Sequence, residues 1–137
     1  MNVKYNDGGR AAAGFKGRVG DCVVRAIAIA AGMPYKEVYD YLHDQMKKRG
    51  DPGSPAKGVS KKIYEPYILS LGFKWVPTMK IGTGCRVHMR DVELPDGIII
   101  CRLSRHLATV IDGILHDTHD CSREGTRCVY GYWIINE

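Results

Sequence analysis

The chain has 137 residues, of which 45% are hydrophobic and 26% are charged, and its formal net charge is +5. This composition supports a genuine core in a single domain, residues 1–137, and it excludes the class of disordered proteins. The Lys and Arg residues are scattered along the chain, so we expect the charge to favour solubility, and a nucleic-acid partner is disfavoured.

The number of cysteines and the composition of the N-terminal residues indicate the cellular compartment of the protein. An odd number of cysteines without C-x-x-C spacing predicts neither a disulfide framework nor a four-thiolate zinc site, so we expect reduced thiols. Residues 1–7 lack the apolar segment of a signal peptide, and no apolar run approaches the length of a membrane span. The sequence therefore predicts a cytoplasmic protein that does not bind a membrane. The cysteines stand at positions 22, 85, 101, 121 and 128.

The first regular element is predicted to be a helix that begins at Cys22. Residues 1–20 read as an extended, Gly-rich lead-in, and Asp21 stands where an N-cap would be. The run that follows is apolar on almost every side up to Ala31, and Gly32 is suited to the position after a helix. We expect this element to be the buried central helix.

Two further helices complete a helical half over residues 21–72. Pro34 is suited to open an amphipathic helix over residues 35–49, because apolar side chains recur there at three- and four-residue spacing. Ser60 is a candidate cap for a third helix that ends at Gly72, with an interruption expected at Pro66.

From residue 73 the hydrophobic period changes to that of strands. Helices first and antiparallel strands afterwards is an α+β pattern, with a sheet half over residues 73–137. The predicted strands cover residues 73–76, 97–103, 106–111, 113–117 and 128–135.

The pair Asp112-Gly113 is the strongest hairpin signal in the chain. If these are the two turn residues, Ile111 faces Ile114, and His106 and Asp117 lie diagonally on one side of the ribbon. We expect the two isoleucines to face the core on the opposite side. The register therefore brings an imidazole to a carboxylate.

A thiol becomes a strong nucleophile only when it is ionised, which a helix N-terminus and an adjacent imidazolium both favour. Cys22 has the first by position, and His106 would supply the second. Asp117 would orient His106, and Asp120 is the alternative for that role, on the other face of a regular ribbon. We predict that Cys22, His106 and Asp117 form a catalytic triad.

The segments that carry these residues resemble the papain-like cysteine peptidases, and are most similar to compact bacterial and phage members akin to the bacteriocin-leader (double-glycine) peptidases. They are residues 20–28, which open with Gly-Asp-Cys, and residues 106–113 followed by Asp117. The resemblance implies a papain-like fold, with Cys22 as nucleophile, His106 as general base and Asp117 as orienting residue.

One position departs from that pattern. Family members commonly carry a Gln a few residues before the Cys as an oxyanion donor, whereas this chain has Lys-Gly-Arg-Val at residues 16–19. The donor would be the Cys22 backbone amide with another group, such as Asn6 or a loop amide. Losing one good donor typically costs ~10²–10³ in rate.

Three other kinds of site are weighed and disfavoured. The cluster of His116, His119, Asp120 and Cys121, with Cys128 beyond, holds zinc-ligand types, but its spacing matches no standard motif. Residues 82–84 resemble half of a phosphate loop without the Lys that would follow. The aromatics at positions 75, 130, 132 and 133 suit a half-buried sheet better than base stacking. We predict neither a metal nor a cofactor.

The predicted function is a cysteine peptidase or related thiol hydrolase acting on a peptide or protein substrate. We expect the substrate to lie between the two halves, contacted by residues 8–20 and 82–86. Acyl transfer to an amine would use the same residues. The alternative is a non-catalytic binding or accessory protein on the same scaffold, with a protein or nucleic-acid partner.

Overall fold

A computed structural model of the protein describes residues 1–16 and 20–135. Within these ranges the fold is α+β, with three helices and a mostly antiparallel six-stranded sheet, as the sequence predicts. A separate pair of short strands and two short 3-10 helices, Pro55–Lys57 and Asp91–Glu93, complete the regular structure of the described residues. The helices are α1 (Cys22–Ala31), α2 (Tyr35–Lys48) and α3 (Lys61–Ser70), and the strands are β1 (Val3–Tyr5), β2 (Phe73–Pro77), β3 (Val87–His88), β4 (Ile98–Leu103), β5 (His106–Ile111), β6 (Ile114–Asp117), β7 (Cys128–Val129) and β8 (Gly131–Ile135).

Helix α1 begins and ends where its sequence signals stand. Cys22 is its first residue, and Gly32 follows it with a φ of 65°, a left-handed conformation that glycine adopts at little cost. The predicted capping role of Asp21 is wrong, because its side chain makes no capping bond and turns instead toward Arg25 and Tyr35. Most of α1 is buried, so the prediction of a buried helix is confirmed.

The sheet has the strand order β1-β6-β5-β4-β8-β2. Its central strands are covered on both faces, by a cluster that includes α1, α2 and α3 on one side and by a second cluster around Met89, Val110 and Leu115 on the other. Thr109 on β5 donates a buried hydrogen bond of 2.7 Å from its hydroxyl to the carbonyl of Ala26 in α1. This bond joins the helical layer to the strand that begins at His106.

The hairpin register agrees with the prediction from Asp112-Gly113. Ile111 pairs with Ile114, and both turn residues have positive φ, 48° for Asp112 and 79° for Gly113, as a primed two-residue turn requires. The expectation that the two isoleucines face the core is wrong. Ile111 is half-buried and Ile114 is 38% exposed, because the tip of the hairpin lies at the margin of the core.

Residues 1–16 do not form the extended lead-in that their composition suggests. Val3–Tyr5 form β1, which pairs in parallel with β6 at the edge of the sheet, and residues 8–14 form turns. Gly8 lies so close to α1 that a Cβ there would be 3.3 Å from backbone atoms of Arg25. Residues 17–19 of the predicted lead-in lie outside the described residues.

Two of the cysteines are joined, which corrects the expectation of reduced thiols throughout. Cys85 and Cys128 form a disulfide, and Cys22, Cys101 and Cys121 are free. The pairing of β3 with β7 brings the two segments together across 43 residues of sequence. No helix in the described part of the chain combines the length and apolar character needed to cross a bilayer.

Candidate active site

Cys22 and His106 share one cleft of about 860 Å³. Cys22 is the first residue of α1 and is partly buried, whereas His106 is the first residue of β5. The two side chains therefore come from the helical layer and from the sheet, and they meet because α1 packs across β5. At the start of a helix, the free amides of the first turn favour a negative charge.

The environment of this pair favours its ionised form. Burial alone raises the pKa of the Cys22 thiol, but hydrogen bonding to His106 and the charge of His106 contribute to a pKa below the ordinary value of 9.0. Burial alone lowers the pKa of His106, but hydrogen bonds with Asp117, Cys121 and Cys22 raise it to about 11. Both shifts favour the ionised forms of the pair, the thiolate and the imidazolium.

Asp117 holds the imidazole from the far side. His106 Nε2 lies 2.8 Å from Asp117 Oδ2, so Nδ1 is the ring nitrogen that this bond leaves available. Burial alone raises the pKa of Asp117, but hydrogen bonding to His106 and to the Thr118 amide holds it below 3.8. The carboxylate is 3% exposed and ionised, so it fixes the orientation of the ring and stabilises its positive charge.

The alternative orienting residue, Asp120, lies elsewhere. Its carboxylate accepts hydrogen bonds from the backbone amide and the hydroxyl of Ser122, at 2.9 and 2.6 Å. The exposed ring of His119 does lie near the site, 5.5 Å from the ring of His106 between centroids, and it lines the cleft. The structure thus brings Cys22, His106 and Asp117 together, and it leaves Asp120 in its own turn.

A buried ionic network behind these residues was missed in the sequence. Arg25 donates through Nη1 to Asp21, and through Nη2 to Asp117 Oδ1 at 3.3 Å. The hydroxyl of Tyr35 donates to Asp21 at 2.6 Å, and Arg10 contacts the same carboxylate at 3.4 Å. The available signal was a lone Arg in an otherwise apolar helix, four residues after an Asp, because a buried cation requires a partner.

The cleft is not lined by Asn6, which the sequence suggests as an oxyanion donor, but it is lined by the phenol of Tyr64. Asn6 is not the donor, because its amide contacts Gly8 and His116 and does not line the cleft. Lys16 is exposed, and residues 17–19 lie outside the described residues. Tyr64 is a phenol that lines the cleft near the thiol, and burial raises its pKa.

A cluster of metal-ligand types exists, but it differs from the one considered in the sequence. One ligand atom each from His106, Asp117 and Cys121 lies within 4.8 Å of the others. The bond between His106 and Asp117 already occupies two of these atoms, and Cys121 is 3% exposed. The arrangement therefore fits a hydrogen-bonded base better than a metal centre with an open position.

The walls of the cleft differ from those expected. Residues 57–61 and the turn between β4 and β5 line it beside α1, whereas residues 82–86 do not. Residues 82–85 are exposed and no helix follows them, so the features of a phosphate loop are missing there. Trp133 is fully buried against Trp75, with ring centroids 4.6 Å apart, which agrees with aromatics that fill a sheet.

No protein-family model matches the chain, and no curated protein and no solved structure shows significant similarity to it.

Proposed function

We propose that this protein is a papain-like cysteine peptidase or related thiol hydrolase that cleaves an amide or acyl bond. The observation that carries the proposal is that a thiol at a helix start shares a cleft with His106, whose imidazole is bonded to a buried carboxylate at 2.8 Å. The order of helices before an antiparallel sheet also supports it.

In the proposed reaction, the Cys22 thiolate attacks the carbonyl carbon of the substrate. The carbon–nitrogen bond then breaks, and His106 gives its Nδ1 proton to the leaving amine. Water attacks the resulting thioester as His106 takes one of its protons, and the carbon–sulfur bond breaks. The products are a carboxylic acid and an amine, and the ionised pair is restored. Asp117 keeps Nε2 engaged throughout.

Negative charge on the carbonyl oxygen must be stabilised as the tetrahedral intermediate forms. The backbone amide of Cys22 is the first donor in this proposal, because it belongs to the free amides at the start of α1. The hydroxyl of Tyr64 is the second, and it takes the place of the Gln that the resemblance would require.

The proposal is tested with p-nitrophenyl acetate, a simple acyl donor. We expect wild-type protein to release a burst of p-nitrophenol and to carry one acetyl group on Cys22 by peptide mass mapping. Cys22→Ala should abolish the burst, and His106→Gln should slow it by ~10²-fold or more, as expected for loss of a general base.

His119→Gln is the matched control, because it removes a second imidazole from the same cleft, 3.9 Å from Asp117 Oδ1, and leaves the 2.8 Å bond between His106 and Asp117 Oδ2 in place. We expect its burst to remain close to that of the wild type. A burst that survives in folded Cys22→Ala, with near-ultraviolet circular dichroism unchanged, would contradict the proposal. So would equal losses in the two histidine variants.

A further inference from the structure

The cleft around Cys22 gathers cations that are far apart in the sequence. Lys and Arg side chains line it from several elements, and Asp21 is the only carboxylate among its described lining residues. The scattered charge of the sequence therefore becomes concentrated in the fold, beside the proposed nucleophile. The six cationic residues are Arg10, Arg25, Lys57, Lys61, Arg102 and Arg105.

Four of these cations have no carboxylate partner among residues 1–16 and 20–135. Arg10 and Arg25 are paired with Asp21, and Arg25 also contacts Asp117. The ion pairs of the described residues include none of the other four. Lys61 lies over the ring of Trp75, 5.7 Å from its centroid. These four are free to meet a ligand's charge.

The four unpaired cations come from two parts of the chain that line the cleft. Lys57 and Lys61 stand at the approach to α3 and in its first turn, and both are exposed. Arg102 and Arg105 come from the end of β4 and from the turn before β5, and Arg105 directly precedes His106. Like charges gathered in one partly enclosed cleft focus a positive potential, and a bound anion relieves their repulsion.

We infer that the substrate is an acidic peptide, with Asp or Glu side chains on both sides of the acyl group presented to Cys22. This inference rests on the proposed thiol hydrolase function, because it takes the acyl group from that chemistry. A carboxylate before the acyl group and one after it would both lie within this cationic cleft and could pair with its Lys and Arg side chains.

A peptide fits these observations better than a nucleic acid. A thiolate beside an imidazolium attacks carbonyl carbon, and a nucleic acid offers no acyl group for that attack. Base stacking also needs exposed aromatic faces. Tyr64, the one phenol or indole in the described lining, is buried with its ring against Trp133, and the ring of Trp75 lies between Trp133 and Lys61.

The charge of the cleft is measured by alkylating Cys22 with two reagents of similar size, anionic iodoacetate and neutral iodoacetamide. The measured quantity is the rate constant for iodoacetate divided by that for iodoacetamide. We expect this ratio to be on the order of 10-fold higher for Cys22 than for free cysteine at low salt. The preference should fall as salt screens the field. Lys57→Gln, Lys61→Gln and Arg105→Gln should each lower the ratio.

Lys62→Gln is the matched control, because Lys62 is exposed on the same helix as Lys61 and does not line the cleft. Its ratio should remain close to that of the wild type. Fast iodoacetamide alkylation with no preference for iodoacetate would overturn the inference and leave the activated thiol standing. Slow alkylation by both reagents would instead overturn the proposed function.

The substrate class is tested with quenched fluorescent peptides of one length, with Glu, Gln or Lys on both sides of a central acyl bond. We expect the Glu peptide to have the highest kcat/KM, by about 10-fold over Gln at low salt, and Lys57→Glu to reduce that preference. Equal cleavage of the three peptides would overturn the inference. So would tighter binding of folded Cys22→Ala to a single-stranded oligonucleotide than to the Glu peptide.

Discussion

Arg25 links the start of α1 to the end of β6 through two carboxylates. It is buried, and it contacts Asp21 and Asp117, which are both nearly inaccessible to solvent. Removing one partner of a buried ionic network leaves the other charges uncompensated, which costs far more than the net contribution of the intact network. Arg25 thereby positions Asp117, and through it the ring of His106.

We expect Arg25→Met to lower the free energy of unfolding by about 3 kcal/mol or more, because two buried carboxylates would each lose one cationic partner and keep only Arg10 or His106. Lys36→Met is the control, since Lys36 and Asp40 form a pair with the same four-residue spacing on the surface of α2. Its effect should be below about 1 kcal/mol. Urea denaturation measures both, and similar losses in the two variants would argue against a buried network.

The ionised pair has a consequence for the pH dependence of thiol reactivity. The thiolate is the reactive form, and the pKa of Cys22 lies below 9.0 while that of His106 is raised to about 11. As pH rises, iodoacetamide alkylation of Cys22 should therefore increase at a lower pH than for an ordinary thiol, with its midpoint below pH 9.0.

In His106→Gln the charge that stabilises the thiolate is gone, and burial then raises the pKa of Cys22. We expect the midpoint of its alkylation profile to move above pH 9, while His119→Gln keeps the wild-type profile. The measurement is the second-order rate constant at each pH. A wild-type midpoint at or above the value for free cysteine would contradict the ionised pair.

At the scale of elements, the β5–β6 hairpin explains why so much of the site could be predicted. A two-residue turn at Asp112-Gly113 fixes which residues pair, and the alternation of side chains then places His106 and Asp117 on one face. The turn chemistry is local, so a single sequence carries it. Helix α1 is similarly local, with its apolar run and Gly32 marking its extent.

Elements that depend on distant partners could not be predicted. β1 is three exposed residues whose pairing with β6 leaves no periodic signal. The disulfide depends on the pairing of β3 with β7, two strands of two residues each. The role of Asp21 depends on Arg25 and Tyr35, which compete successfully with the helix amides for its carboxylate.

The disulfide between Cys85 and Cys128 should stabilise the fold by about 4 kcal/mol, from the loop-closure entropy of its 43-residue separation. We expect Cys85→Ser/Cys128→Ser to lower the free energy of unfolding, measured by urea denaturation, by the same amount. Adding a reductant should destabilise the wild type and leave this variant unchanged. Titration of the denatured, unreduced wild type should find three free thiols; five would contradict the disulfide.

At the scale of the whole molecule, the charge of the cleft is a property of the fold and not of any segment. Its cations come from the N-terminal turns, α1, the approach to α3, α3 itself and the β4–β5 turn. None of these segments holds enough of the six to suggest a binding surface. The sequence therefore predicts the three residues of the proposed triad, but not the chemistry of the surface around them.

The hydrogen bond from Thr109 to Ala26 joins α1 to the sheet. The sulfur of Cys22 belongs to the helical layer, and the imidazole of His106 belongs to the sheet. The rate at which Cys22 is alkylated therefore reports whether the helical layer and the sheet remain packed together. During a gradual denaturant series, a drop in thiol reactivity ahead of the far-ultraviolet helical signal would mark a state whose layers have parted while their secondary structure persists.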